Sequence, residues 1–185
     1  HRCLGQLARD QGKDPVELMI ELALESDFEQ IFLQPIANEI PENVLALMQH
    51  PRTLTTFSDA GAHVSQISDC SIATHLLGHW VRERKLMPLE KAVKKLTSEP
   101  AQLLGIRGRA TIATGNWADL LLFDPRTVGR APSQRVYDLP AGGSRIHTPG
   151  VGVHGVWVNG MRVADESGLR KLDRLPGQVL REFLS

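Results

Sequence analysis

Cysteine is scarce in this chain. Its 185 residues hold only Cys3 and Cys70, too few for a disulfide framework and in no CxxC or zinc-ribbon spacing. That excludes a disulfide-stapled secreted fold and fits a reducing compartment. Net charge is absent as well: 21 Lys+Arg balance 21 Asp+Glu, and the pI is near 7.2. The chain therefore lacks the basic excess of a nucleic-acid or anionic-membrane binder, and neither partner is expected. No apolar run approaches the roughly 20 residues that span a bilayer, and His1-Arg2-Cys3-Leu4 has no apolar signal-peptide core. A cytoplasmic protein is expected. There is no initiating methionine, and the first dozen residues are polar and punctuated by glycine, which reads as a piece of a longer protein.

What is present is the composition of an ordinary globular domain, 42% hydrophobic and 23% charged. Asp14-Pro15 predicts an N-cap with proline at the first helical position, followed by Val16, Leu18, Met19, Leu22 and Ala23 at helical spacing. Ile31 to Pro35 predicts a short strand, Pro41-Glu42-Asn43 opens a helix, and Thr53 to Phe57 predicts a second strand leading into Ser58-Asp59-Ala60-Gly61-Ala62-His63. Strand, helix, strand is the pattern of a parallel α/β sheet. Ile72 to about Arg84 predicts a helix, Pro88-Leu89-Glu90 opens another with Ala92, Val93 and Leu96 as its buried face, and Ser98-Glu99-Pro100 opens a last short turn through Leu104 with Gly105 as a left-handed stop.

Beyond Gly105 the pattern changes to short extended runs between Gly and Pro, with residues 125–150 mostly loop. Val156-Trp157-Val158-Asn159-Gly160-Met161-Arg162-Val163 predicts a hairpin through a two-residue Asn-Gly loop. A short helix is expected in the tail from Lys171.

Asp59 is the foremost candidate for chemistry. A carboxylate directly after a strand, before the flexible Ala60-Gly61, sits where α/β folds place bases and metal ligands; the competing reading is a turn cap. His63, four residues on, either faces the same mouth or is a solvated loop residue. His75 and His79 stand four apart on a predicted helix, but Leu76 replaces the glutamate of a helical zinc motif, which favours ordinary histidines over ligands. His50 is expected to meet free carbonyls at a helix end, and Cys70 to be a small buried residue.

The ordered set Phe57-Ser58-Asp59-Ala60-Gly61-Ala62-His63, Leu89-Glu90-Lys91-Ala92-Val93, Thr97-Ser98-Glu99-Pro100-Ala101 and Gly115-Asn116-Trp117-Ala118-Asp119-Leu120-Leu121-Leu122-Phe123-Asp124, closed by Val156 to Gly160, resembles the C-terminal part of metal-dependent amidohydrolases. It is most similar to the N-acyl-D-amino-acid deacylase branch. The resemblance implies an α/β fold in which residues 1–105 are the last segment of a (β/α) TIM-type barrel and 106–185 are part of a small composite β-sandwich. It further implies one or two zinc ions, with Asp59 as metal ligand and proton shuttle and the remaining ligands upstream of His1; His63, from its place on the loop after Asp59, is taken as a substrate contact. The substrate would be a small-molecule amide. His50-Pro51-Arg52 precedes Asp59, whereas the deacylases carry such a segment after it, so a cyclic amide opened by hydantoinase or dihydroorotase relatives stays open as an alternative. So does a non-catalytic barrel remnant that serves in packing. Strands cut from a barrel have bare edges and an apolar face, so either the missing N-terminal part or a second copy of the chain is expected to cover Ile31, Leu33, Leu54 and Phe57.

Overall fold

The computed structural model describes residues 3–35, 37–56, 58, 60–67 and 71–181. They fall into two units, residues 1–44 and 45–185. In the first, α1 (Leu4–Gln11) packs on α2 (Pro15–Glu25), with Ala8 and Leu18 buried. The predicted cap of α2 is present: an Asp14 carboxylate oxygen accepts from the backbone N–H of Val16 at 2.8 Å and of Glu17 at 3.2 Å. The glycines that made the opening residues look irregular conceal α1. Gly12 follows that helix with φ 66°, while Gly12 N–H and Lys13 N–H close on the Arg9 and Ala8 carbonyls at 3.2 and 2.9 Å. This paired closure is a glycine helix stop.

α3 (Pro41–Gln49) begins where the sequence places it. Among the described residues the expected parallel strands at 31–35 and 54–58 are not seen: neither 31–35 nor the described residues 54–56 and 58 make a ladder, and Phe57 lies outside the described residues. β-branched and aromatic side chains favour extension, but a strand is held only by the backbone bonds of a neighbour. Leu33 is 86% exposed.

In the second unit, α4 (Ile72–His75) runs into a π-helix (Leu76–Glu83), followed by α5 (Leu89–Leu96) and α6 (Ser98–Leu103). Gly105 ends α6 as expected, with φ 68° and the Gly105 and Ile106 N–H groups closing on Gln102 and Ala101. The core lies along these helices: Leu76, Leu77, Trp80, Met87, Ala92 and Ala101 are buried, together with Val128. The π-helix packs on α5 and on the short strand β2 (Gly129–Arg130). Gly78 permits that approach, since a Cβ there would lie 2.8 Å from the Val128 carbonyl oxygen and 2.9 Å from the Gly129 Cα. Arg82 reinforces the seam by donating to the same Val128 carbonyl.

β1 (Leu120–Phe123), β6 (Val153–Val158), β7 (Met161–Asp165) and β8 (Gly168–Leu169) form an antiparallel sheet in that order. The predicted hairpin is its centre, with Val158 opposite Met161 and both Asn159 (φ 48°) and Gly160 (φ 80°) left-handed, the geometry a two-residue primed turn requires. Residues 125–150 are not simply loop. β2 pairs with β5 (Gly150–Val151) and β3 (Gln134–Val136) with β4 (Arg145–His147), each antiparallel. The expected tail helix is absent from residues 171–181. Pro176 and Gly177 interrupt any helical run there, and the Pro176 carbonyl instead accepts from the Asn159 side chain. No helix among the described residues is long and apolar enough to cross a membrane.

Candidate functional site

The approach to Asp59 is residues 53–56, a segment in neither helix nor strand that is tied down at its start. The Thr53 hydroxyl donates to the His50 carbonyl at 3.0 Å and also to that of Leu47. Asp59 itself lies outside the described residues, as do Phe57 and Cys70. Its neighbours are described: the Ser58 hydroxyl accepts from the Ala60 N–H at 3.2 Å, a short side-chain turn of the kind serine favours.

His63 is exposed and left-handed, with φ 46°. Its carbonyl accepts from Gln66 and Ile67 N–H at 2.7 and 2.9 Å, so the residue opens a tight turn. The Val64 carbonyl in that turn accepts from Ile146 N–H at 2.8 Å, which ties the loop to β4. The sequence gives no hint of that long-range bond.

His50 does not cap carbonyls. Its ring nitrogen Nδ1 accepts from the Arg52 N–H at 3.2 Å.

His75 and His79 do share a face, as their spacing predicts. Their rings stack with centroids 4.9 Å apart and planes 8° from parallel, on the stretch where winding loosens so that Arg84 N–H reaches the His79 carbonyl five residues back, at 2.9 Å. Burial lowers the His75 pKa, and the adjacent His79 and Arg130 lower it further. Glu83, 3.2 Å from His79 Nδ1, is held below the usual carboxylate range, first by Arg82 and then by His79. The cluster is thus a pair of stacked imidazoles flanked by the Arg82–Glu83 ion pair. Among the described residues no group of three or more His, Cys, Asp or Glu side chains is arranged to hold a metal ion.

The amidohydrolase family profile matches residues 4–164. Among similar proteins, the N-acyl-D-aspartate deacylase of Alcaligenes xylosoxydans xylosoxydans is 34% identical over 180 residues, covering 91% of this chain and 33% of that protein. The N-acyl-D-glutamate deacylase of the same organism is 36% identical over 112 residues, covering 60% of this chain and 20% of that one. A solved structure of N-acyl-D-glutamate deacylase from Bordetella bronchiseptica, complexed with zinc and a phosphonate inhibitor, aligns with TM-score 0.41 and 38% identity over 52% of this chain and 19% of that chain. The chain spans a third or less of the length of the curated relatives it matches. With the profile running through both the helical and the β portions, the chain belongs to the amidohydrolase family.

Proposed function

We propose that this chain is part of a metal-dependent amidohydrolase that cleaves the amide bond of an N-acyl amino acid, with Asp59 as the group that moves the proton. The observation that carries this reading is the 34% identity to an N-acyl-D-aspartate deacylase along 91% of the chain. In the reaction the carbonyl carbon gains a water oxygen, the C–N bond breaks, and the products are a carboxylate and an amine. A carboxylate at Asp59 takes the proton from the attacking water and delivers it to the leaving nitrogen. In such enzymes zinc acidifies the water and polarises the carbonyl. Among the described residues no group of three or more His, Cys, Asp or Glu side chains is arranged to hold a metal ion, and Asp59 would be the ligand that this chain supplies.

The same reading takes residues 1–105 as barrel and 106–185 as the β-domain, where the change from helices to strands supports the division. It also takes His63, on its exposed turn, as a substrate contact. The free, exposed Cys3 suits a cytoplasmic setting. Either the rest of the barrel or a second copy would cover apolar residues such as Ile31 and Leu33.

The test is Asp59→Asn in the full protein that carries these residues, assayed on N-acyl-D-aspartate and N-acyl-D-glutamate. A fall in kcat of roughly 10²–10⁴-fold, with folding intact, is the expected loss of an acid–base group. Wild-type turnover of hydantoin or dihydroorotate with none of the acyl amino acids would shift the assignment to cyclic amides. A near wild-type rate for Asp59→Asn would leave Asp59 as a turn cap.

A further inference from the structure

Helices α5 and α6 face the segment that follows α3 across a groove of about 610 Å³, within the range of small-molecule sites. Its character comes from an imbalance of charge. Lys91 and Lys95 stand one turn apart on α5, Arg52 lines the opposite wall, and Glu99 is the only carboxylate in the lining. Glu99 is shared: one oxygen lies 3.4 Å from Lys95 Nζ and the other 4.0 Å from Lys94 Nζ. Arg52 and Lys91 make no ion pair with any described residue.

Lys95 is the unusual member, an ammonium on a residue only 4% exposed. Lysine is almost never buried unless paired, and a buried ammonium is costly unless its three donors find acceptors. Here the pair with Glu99 is long, and that carboxylate also serves a second lysine. A concave site whose lining sets Arg52, Lys91 and Lys95 against the single carboxylate of Glu99 concentrates anions. The rest of the wall mixes polar Gln49, His50, Thr53 and Gln102 with an apolar strip of Pro51, Leu54 and Leu103, and Leu103 is 69% exposed.

We propose that this groove binds a small organic anion, a carboxylate carried on a short apolar body, with the head group between Lys95, Lys91 and Arg52 and the body against Leu54 and Leu103. A compact phosphate would leave the apolar strip wet, whereas an uncharged amphiphile would leave the cations without a partner. The site needs Leu54 open, so it exists only where the rest of the barrel or a second copy leaves that residue uncovered.

Calorimetric titration of the chain with octanoate, inorganic phosphate and octanol tests it. The expected result is saturable octanoate binding that weakens with added salt. It should become roughly tenfold weaker when a charge-assisted contact is removed, in Lys95→Met and independently in the rim variant Arg52→Gln with Lys91→Gln. The rim variant leaves the buried pair intact, so it keeps the test valid should Lys95→Met disturb α5. Octanol binding as tightly as octanoate, phosphate binding as tightly, no saturable octanoate binding, or octanoate binding unchanged in the rim variant would each overturn the proposal.

Discussion

The helical stretch from Ile72 to Leu103 and the four-stranded sheet are built on different terms. The helical stretch buries its side chains: Leu76, Leu77, Trp80, Ala92 and Ala101 on the helices and Met87 in the connection between them all lie in the core. The sheet buries little, for Gly155 is its only fully buried member, while Leu120, Leu121 and Leu122 on the edge strand β1 are all exposed. What defines the sheet is backbone. Its tip is clamped where Asp119 accepts from Asn159 N–H at 2.8 Å and Gly160 N–H reaches the Ala118 carbonyl at 2.9 Å. Burial pushes the Asp119 carboxyl up, but the Asn159 N–H and the Arg109 guanidinium outweigh it and hold it below its ordinary value. Packing therefore stabilises one region, and turn chemistry with hydrogen bonds specifies the other.

The same substitution made in both regions gives the largest contrast. Leu77→Ala empties a site that is 3% exposed and should cost about 2–5 kcal/mol, the sum of lost transfer energy and a residual cavity. Leu121→Ala, at 51% exposed, should stay within about 0.5 kcal/mol, as surface changes do. Urea unfolding of both variants checks this. Equal midpoints would mean that β1 is covered in solution and that the contrast belongs to the isolated chain alone.

A smaller effect isolates the turn. A Cβ at Gly160 would meet only the Ala118 Cβ at 3.9 Å, an ordinary contact, while φ is 80°. Gly160→Ala should therefore cost about 1 kcal/mol from left-handed backbone strain alone. A thermal shift as large as that of Leu77→Ala would show that the turn, rather than the helical core, limits stability.

Local signals were readable in the sequence and distant ones were not. The Asp14 cap, the Gly105 stop and the Asn159-Gly160 turn each depend on residues a few positions apart, and all three form as expected. The strands at 31–35 and 54–58 needed neighbours that no local pattern can supply. Periodicity misassigned part of α5. Val93 and Leu96 are half-buried, whereas Lys95 is buried, its ammonium 3.4 Å from Glu99 one turn further on, a long contact that no periodicity signals. The π-helix was also hidden. Its one local mark is Gly78, whose role emerges only against Val128 and Gly129, some fifty residues later. At the candidate site, the His75–His79 face was legible from its spacing, but the bond that ties the His63 loop to Ile146 was not.

The subtlest test lies at the margin of the helical region, where the π-helix packs on β2. The His75 pKa is lowered from its ordinary value of 6.5 by burial, by His79 and by Arg130, with Glu83 opposing. Its charged form is disfavoured in the folded protein, so between the folded and unfolded pKa values the unfolded chain binds more protons. Stability must then rise with pH through that window. The contribution is fully present above about pH 6.5, and it is lost as pH falls through the unfolded value toward the lowered folded one. His75→Gln removes the titration, so the acid-side decline in urea midpoint just below neutrality should flatten. His79→Gln removes one neighbouring positive charge and should flatten it only in part, because burial, the largest cause, remains. An unchanged slope in His75→Gln would show that the imidazole stack opens readily in solution, and that the seam between π-helix and β2 rests on Gly78 and Arg82 alone.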